Sequence, residues 1–517
     1  MRQSVFAVLA LVSVSSVLAC SSAPETLAPL SADGGPAPNG SNAPGPNGAP
    51  NPDGADGGAR QGKPPEPPAP PAKAEEVTEA FGFFVAKSGS AENAGTREAP
   101  LASIGDAIVK AKAAKKRVFV CEGTYEENLE LENGVSIVGG LDCSTASWKL
   151  TEKRSVLKSP VSPAIHAVNV TSPTRIDQFD VEAPDATEAS GSSIGVLAVD
   201  SNALTFAKGS IKAGVGMKGE NGVEGELLTL RPQRNAETGQ KGWQTPTPDH
   251  PYHQNGGLGA VGQCLHFDGR LFSTQMGDNG GSSGLFYRSG TGVPFAQIDA
   301  PRPPSGGMPA SDAVNGANGA TGVWTAAESG FTPGDGSAGV SGTGGRAGGG
   351  GAGSAPTPTG GLGRWWGDSG PGGGLGGCPG LAGTPGKGGG ASLGVLAIRS
   401  PVRLDGITIA SSAGGAGGSG TFGSAPTPGT GGGDDNPNPF TLNRTKSSPG
   451  GLGGTSGISG NGAGGPSIAI AHQGGAPILT QSNTKVGAGG AGVEARSQGG
   501  KTLPASPAGE SEGVKAL

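Results

Sequence analysis

SLGVLAIRSPVRLDGITI, residues Ser392 to Ile409, is the stretch whose reading decides the fold, because variants of it recur elsewhere in the chain. From Ser193 the sequence runs SIGVLAVDSNALTFAKGSIKAG and from Ala164 it runs AIHAVNVTSPTRIDQFDVEA. A fainter copy, SIAIAHQGGAPILTQSNTKVGAG, begins at Ser467. Each unit of about twenty residues holds two or three short β-branched or aliphatic runs broken by Ser, Pro, Asn and Gly, the signature of strands punctuated by turns. One such unit cannot bury its own apolar side chains. Units stacked in register can, each adding a layer to a continuous core. The reading is an all-β chain built as a right-handed parallel β-helix. Asn-Gly or Asp-Gly hairpin signals do not fall regularly between the runs, which speaks against an antiparallel sandwich.

Composition limits what surrounds these units. The 517 residues include 102 glycines and 44 prolines, the range in which much of a chain is low in complexity. Aromatics make up 4% and charged residues 15%, too little for several ordinary globular domains, so one interrupted domain is expected. A formal charge of −6 argues against a surface that tracks nucleic-acid phosphates, which requires clustered Lys and Arg.

The N-terminus carries Arg2, an apolar run from Val5 to Val17, then Leu18-Ala19-Cys20, the layout of a secretory signal over 1–19. Cysteine directly after Leu-Ala resembles the lipobox of bacterial lipoproteins. That resemblance implies diacylglyceryl attachment at Cys20 and a membrane partner on the outer membrane or cell surface, with two or more acyl chains holding the anchor. Residues 20–80, mostly Pro, Gly, Ala, Asn and Asp, read as a mobile tether. The remaining cysteines, Cys121, Cys143, Cys264 and Cys378, are even in number in an exported chain, so two bridges are possible.

Real structure is expected from Phe83. A helix follows with Ile104, Ala107, Ile108 and Ala111 on one face, started by Ser103 and Asp106. Its C-terminal lysines suit the helix dipole. The order is a strand, a G-S-x-x-N-x-G-T-like loop within 87–100, S-I-x-x-A-I from Ser103, V-x-V-x-x-G-T-Y-x-E from Val118, and V-S-I-x-G-G from Val135. It resembles the N-terminal end of pectin-lyase-like β-helix proteins, and that resemblance implies that the helix caps the coil. It covers 81–214 and returns at 392–412 and 467–488. With its insertions the chain also resembles glycine-rich (PGRS-like) bacterial lipoproteins. On the stacked reading Cys121 and Cys143 lie one layer apart and pair. Cys264 and Cys378 then pair with each other or stay free.

Two glycine-rich insertions, 215–391 and 413–466, leave equivalent corners of successive units. No strict Gly-X-Y period is read as sustained, so collagen is set aside. Either the runs lack order or they pack as extended polyglycine helices. The aromatics of 225–331, Trp243, Tyr252, Phe267, Phe272, Phe286, Tyr287, Trp324 and Phe331, are expected to form a small local core. A disordered tail is expected over 489–517.

Chemistry is sparse. Asp434-Asp435 sits in a loop with no histidine beside it, and Asp249-His250-x-x-His253 is flanked by Pro248 and Pro251, which forbid the helix a zinc motif needs. No catalytic residue, metal ligand or cofactor is assigned. The expectation is a non-catalytic surface protein, structural, adhesive, or in contact with glycans or extracellular matrix. The alternative is a polysaccharide lyase or glycoside hydrolase, which the resemblance alone suggests.

Overall fold

The structure is a computed structural model. It describes residues 72–144, 147–239, 244–245, 256–279, 285–288, 294–297, 313–320, 322–324, 330–351, 355–356, 363–366, 368–434, 441–442 and 446–517. The signal segment, Cys20, most of the tether, Trp243, Tyr252, the Asp249-His250-His253 group and Asp435 lie outside the described residues, as do the side chains of Phe286, Tyr287 and Trp324.

The chain is predominantly strand, and three sheets hold most of the parallel pairs. It enters them in a fixed order, first, second, third, and repeats that circuit six times. In the fourth circuit, for example, Leu204–Ala207 joins the first sheet, Ser210–Lys212 the second and Ser392–Ile398 the third. The quoted repeats are neighbours in the third sheet. Ser193 lies opposite Ser392 and Ser392 opposite Ser467, and Ile165 faces Val196. Identical side chains therefore stack, and Val196, Val395 and Ile470 enter one core with Ile176, Phe206, Leu404, Ile211 and Ile409 from the other two sheets.

The helix Ile104–Ala114 closes the N-terminal end and buries the four residues its periodicity marks. Ser103 accepts from the Asp106 amide at 3.2 Å. A second anchor comes from Glu127, which accepts from the amides of Ile104 at 2.8 Å and Gly105 at 3.1 Å, satisfying donors that a helix N-terminus leaves open. Outside the first sheet Phe84, Phe119, Leu141 and Trp148 form a second cluster that also takes Val77. Val77 thus already belongs to the fold, ahead of the tether boundary at 80 expected from composition.

Cys121 is bonded to Cys143, with α-carbons 5.7 Å apart. The two are not at equivalent positions. Cys121 faces Leu141 across the ladder, and Cys143 lies two residues further on. Cys264 is bonded to Cys378, with α-carbons 5.6 Å apart.

The described residues of both glycine-rich insertions are ordered. Both leave after a strand of the second sheet, Ser210–Lys212 or Thr408–Ala410, and the ladder between those strands does not stop. It continues as Ala213 N to Ala410 O, Gly216 N to Ala413 O, Gly219 N to Ala416 O and Gly222 N to Ser419 O, at 2.7 to 3.0 Å, every third residue instead of every second. A three-residue spacing is the repeat of an extended three-fold helix. The same bond type sets the distance between strands and between these rods, so the sheet passes into the rods without a break. A central rod, 372–391, is surrounded by four others. Its amides at 374, 377, 380, 386 and 389 donate to carbonyls at 448, 451, 454, 460 and 463, and its carbonyls accept from 336, 342, 345 and 348 on one side and from 415, 418, 424, 427 and 430 on another. It also donates from 384, 387 and 390 to 223, 220 and 217. Six successive triplets, Gly374, Gly377, Gly380, Gly383, Gly386 and Gly389, keep a strict Gly-X-Y period here, which corrects the reading that no such period is sustained. The period exists because a Cβ at Gly377 would lie 1.9 Å from the Thr427 carbonyl oxygen.

The expected tail is corrected as well. Residues 489–517 contain a Gly-Gly hairpin, Arg496–Gln498 with Lys501–Leu503, and Ser511–Ala516 pairs parallel with Ser467–Gln473 as the last strand of the third sheet.

Candidate interaction surface

Along each strand of the first sheet alternate side chains face opposite ways. Ile176, Phe206 and Leu404 point into the core, so the residues on either side of them point outward. The register sets Arg175 beside Thr205 and Thr205 beside Arg403, and in the next row Asp177 beside Ala207 and Ala207 beside Asp405. The Arg-Φ-Asp shared by Arg175 to Asp177 and Arg403 to Asp405 thereby becomes a two-row array, one row basic and one acidic, with its outer columns about 10 Å apart across two strand spacings.

The array is unevenly neutralised. Arg175 Nε donates to Asp177 Oδ2 at 2.9 Å, and both side chains are under a tenth exposed. The other oxygen of Asp177 and the Thr205 hydroxyl are buried without a hydrogen-bond partner. Such atoms carry a desolvation cost of about 1–3 kcal/mol each. Arg403 and Asp405 are half-buried and form no ion pair among the described residues. At one margin the Val77, Phe84 and Trp148 cluster covers the sheet. At the other the rows run on to Ile478 and Thr480.

Two further features lie on the rods. A hollow of about 390 Å³ collects Glu188, Glu220 and Asp335 around Lys387. Lys387 Nζ meets Asp335 at 2.9 Å, a bond that raises the lysine above its ordinary value, and the Gly388 amide donates to the other Asp335 oxygen at 2.8 Å. The second is an antiparallel hairpin, Val261–Leu265 with Leu271–Met276. Its tip is fixed by Glu226, which accepts from the Phe267 amide at 3.0 Å and meets His266 Nδ1 at 2.6 Å, a contact that lowers the Glu226 carboxyl below its ordinary value. Phe267 is 86% exposed and Phe272 42%. These two aromatics do not join a local core, a correction to the expectation from composition. Phe331 is buried, but against Leu197, Leu396 and Ile468 on the outside of the third sheet. The disulfide from Cys264 pins the hairpin to the central rod, among Leu228, Leu230 and Leu381.

The Arg-Φ-Asp shared by Arg175 to Asp177 and Arg403 to Asp405 lies inside the repeated units, and sequence reasoning missed it as a surface. The signal was the two copies themselves, since stacking of like units in register sets like polar residues in line, here with one strand between them. Asp434 is exposed in its loop. Among the described residues no three His, Cys, Asp or Glu side chains group to hold a metal, and no helix is long and apolar enough to cross a membrane. No protein-family model, curated protein or solved structure matches the chain.

Proposed function

We propose that this chain is a lipid-anchored cell-surface protein whose right-handed parallel β-helix serves as a non-catalytic scaffold, contacting extracellular glycan with the outer face of the first sheet. The carrying observation is the array of Arg175, Asp177, Thr205, Arg403 and Asp405. A sugar presents neighbouring hydroxyls, each both donor and acceptor. The guanidinium row supplies donors and the carboxylate row supplies acceptors at fixed separation on the sheet. Arg403 and Asp405, half-buried, are the members of the array that such a ligand reaches, while Arg175, Asp177 and Thr205 are buried.

The rods support the display part of the reading. At about 3.1 Å per residue the central rod carries the hairpin bonded at Cys378 roughly 45 Å from Ser392. At the far end Ala355–Pro356 pairs with Thr441–Leu442, so the two insertions are joined there. The arm is held by main-chain bonds and leaves side chains outside it free to vary.

Glycan-array binding by the full-length chain, compared with Arg403→Ala and Asp405→Ala, tests the contact. Binding that falls at least tenfold in both variants supports it, and absence of binding, or equal binding by the variants, removes it. Release of oligosaccharide from a bound polysaccharide would overturn the non-catalytic assignment. The anchor is tested separately: Cys20→Ser is expected to leave the membrane fraction and to take up no fatty-acid label. Membrane retention without acyl label in the unaltered protein would defeat it.

A further inference from the structure

We propose that two copies of this chain join tail to tail through the Ser511–Ala516 strand, paired antiparallel about a two-fold axis. The two ends of the stacked sheets differ. At the N-terminal end the Ile104–Ala114 helix lies over the core. At the other end Ile478–Thr480, Asn483–Lys485 and Ser511–Ala516 are the last strands of their sheets, each with one ladder edge unpaired among the described residues. Leu479 stands in register with core residue Leu404, and Val514 with core residue Ile470. Both therefore face inward, yet Leu479 is 38% and Val514 45% exposed. An open, apolar-ended edge of this kind is a template for another strand.

The charges on that edge select the occupant. Glu512 and Lys515 align with Ile468 and Ala471, members of the cluster outside the third sheet, so both project on the outer side. In an antiparallel pairing centred between Gly513 and Val514, Glu512 of one copy falls opposite Lys515 of the other, and the contact occurs twice. A parallel pairing of the two strands in the same register would set Glu512 against Glu512 and Lys515 against Lys515, which directly opposed like charges disfavour. Within one copy Lys515 contacts Glu510 and, at 3.5 Å, Glu512. Pairing thus adds a cross-strand partner to a charge group already present on the edge. Because the patch meets its own copy, the contact is isologous and closes at two copies. The helix at the opposite end prevents the stack from continuing as a filament.

The test is sedimentation of the full-length chain in detergent over a concentration series. The unaltered chain is expected to dimerise. Glu512→Lys and Lys515→Glu alone are each expected to weaken the dimer by about tenfold or more, since each opposes like charges. Mixed in equal amounts, the two single variants are complementary at both contacts and are expected to recover the dimer. A monomeric unaltered chain, or a mixture no more dimeric than its components, overturns the proposal. If a variant loses its circular dichroism, hydrogen exchange of the Ser511–Ala516 amides in the unaltered chain decides instead. Protection that grows with concentration upholds the pairing, and protection independent of concentration refutes it.

Discussion

The amide of Gly216 donates to the carbonyl of Ala413 at 2.9 Å, three residues beyond the Ala213 to Ala410 bond that ends the strand ladder. Main-chain hydrogen bonding therefore runs unbroken from sheet to rod, across 197 residues of sequence, with only its spacing changed.

Glycines facing a neighbouring rod admit no side chain. Gly377→Ala places a Cβ against the Thr427 carbonyl, whereas at Gly431 the same atom meets nothing within 4 Å. Gly377→Ala is expected to lower stability by about 1–3 kcal/mol through overpacking, and Gly431→Ala to stay within about 0.5 kcal/mol. Urea melts of the two variants compare them directly. Equal midpoints would mean the rods are not packed as described.

Glu127 anchors the capping helix with both carboxylate oxygens, one of which also accepts from Ser103 Oγ at 2.8 Å. Glu127→Ala leaves two amides of the first helical turn without that partner. A loss of about 1–2 kcal/mol is expected, with faster hydrogen exchange confined at first to 104–114. Uniform acceleration across the sheets would show that the residue acts globally.

The two bridges close loops of different length, with sequence separations of 22 and 114. In the chain-entropy model the longer loop contributes about 1.5 kcal/mol more. The double variant Cys264→Ala/Cys378→Ala is expected to melt lower than Cys121→Ala/Cys143→Ala. The reverse order in calorimetry would show that the first pair does more than close a loop.

Burial holds the His472 imidazole below its ordinary 6.5. The unfolded chain then takes up a proton at 6.5 before the folded chain does, so stability is full above that pH and falls as pH drops toward the folded value. Stability measured at pH 7.5 and 5.5 should differ less in His472→Asn than in the unaltered chain. An identical difference in the two proteins would exclude this histidine as a source of the acid sensitivity.

What was legible follows from period. The register of Ser193, Ser392 and Ser467 could be read directly, because alternation in a strand fixes which side chains enter the core and a one-residue slip would turn every unit inside out. The helix was legible for the same reason, from Ile104, Ala107, Ile108 and Ala111. Its second anchor was not, since Glu127 lies 23 residues from Ile104 and no local pattern joins them. The rods were half legible. Gly374 to Gly389 show the triplet, but each amide's partner lies on another segment, and one rod alone has no bond to itself. Ser511–Ala516 was missed because Ser-Glu-Gly-Val-Lys-Ala has little apolar content. It is a strand through the neighbour it joins.

The central rod consists of residues synthesised after two of the four rods that surround it and before the other two. Gly374 to Gly389 wait for carbonyls 74 positions later, and Gly464 in turn donates to Pro507. Bonds made so far along the chain carry a heavy closure cost before they return anything. A chain that stops short of residue 415 thus has only two of the central rod's four neighbours. The bundle around the central rod is therefore complete only when residues up to 463 have been synthesised, whatever the speed of local folding.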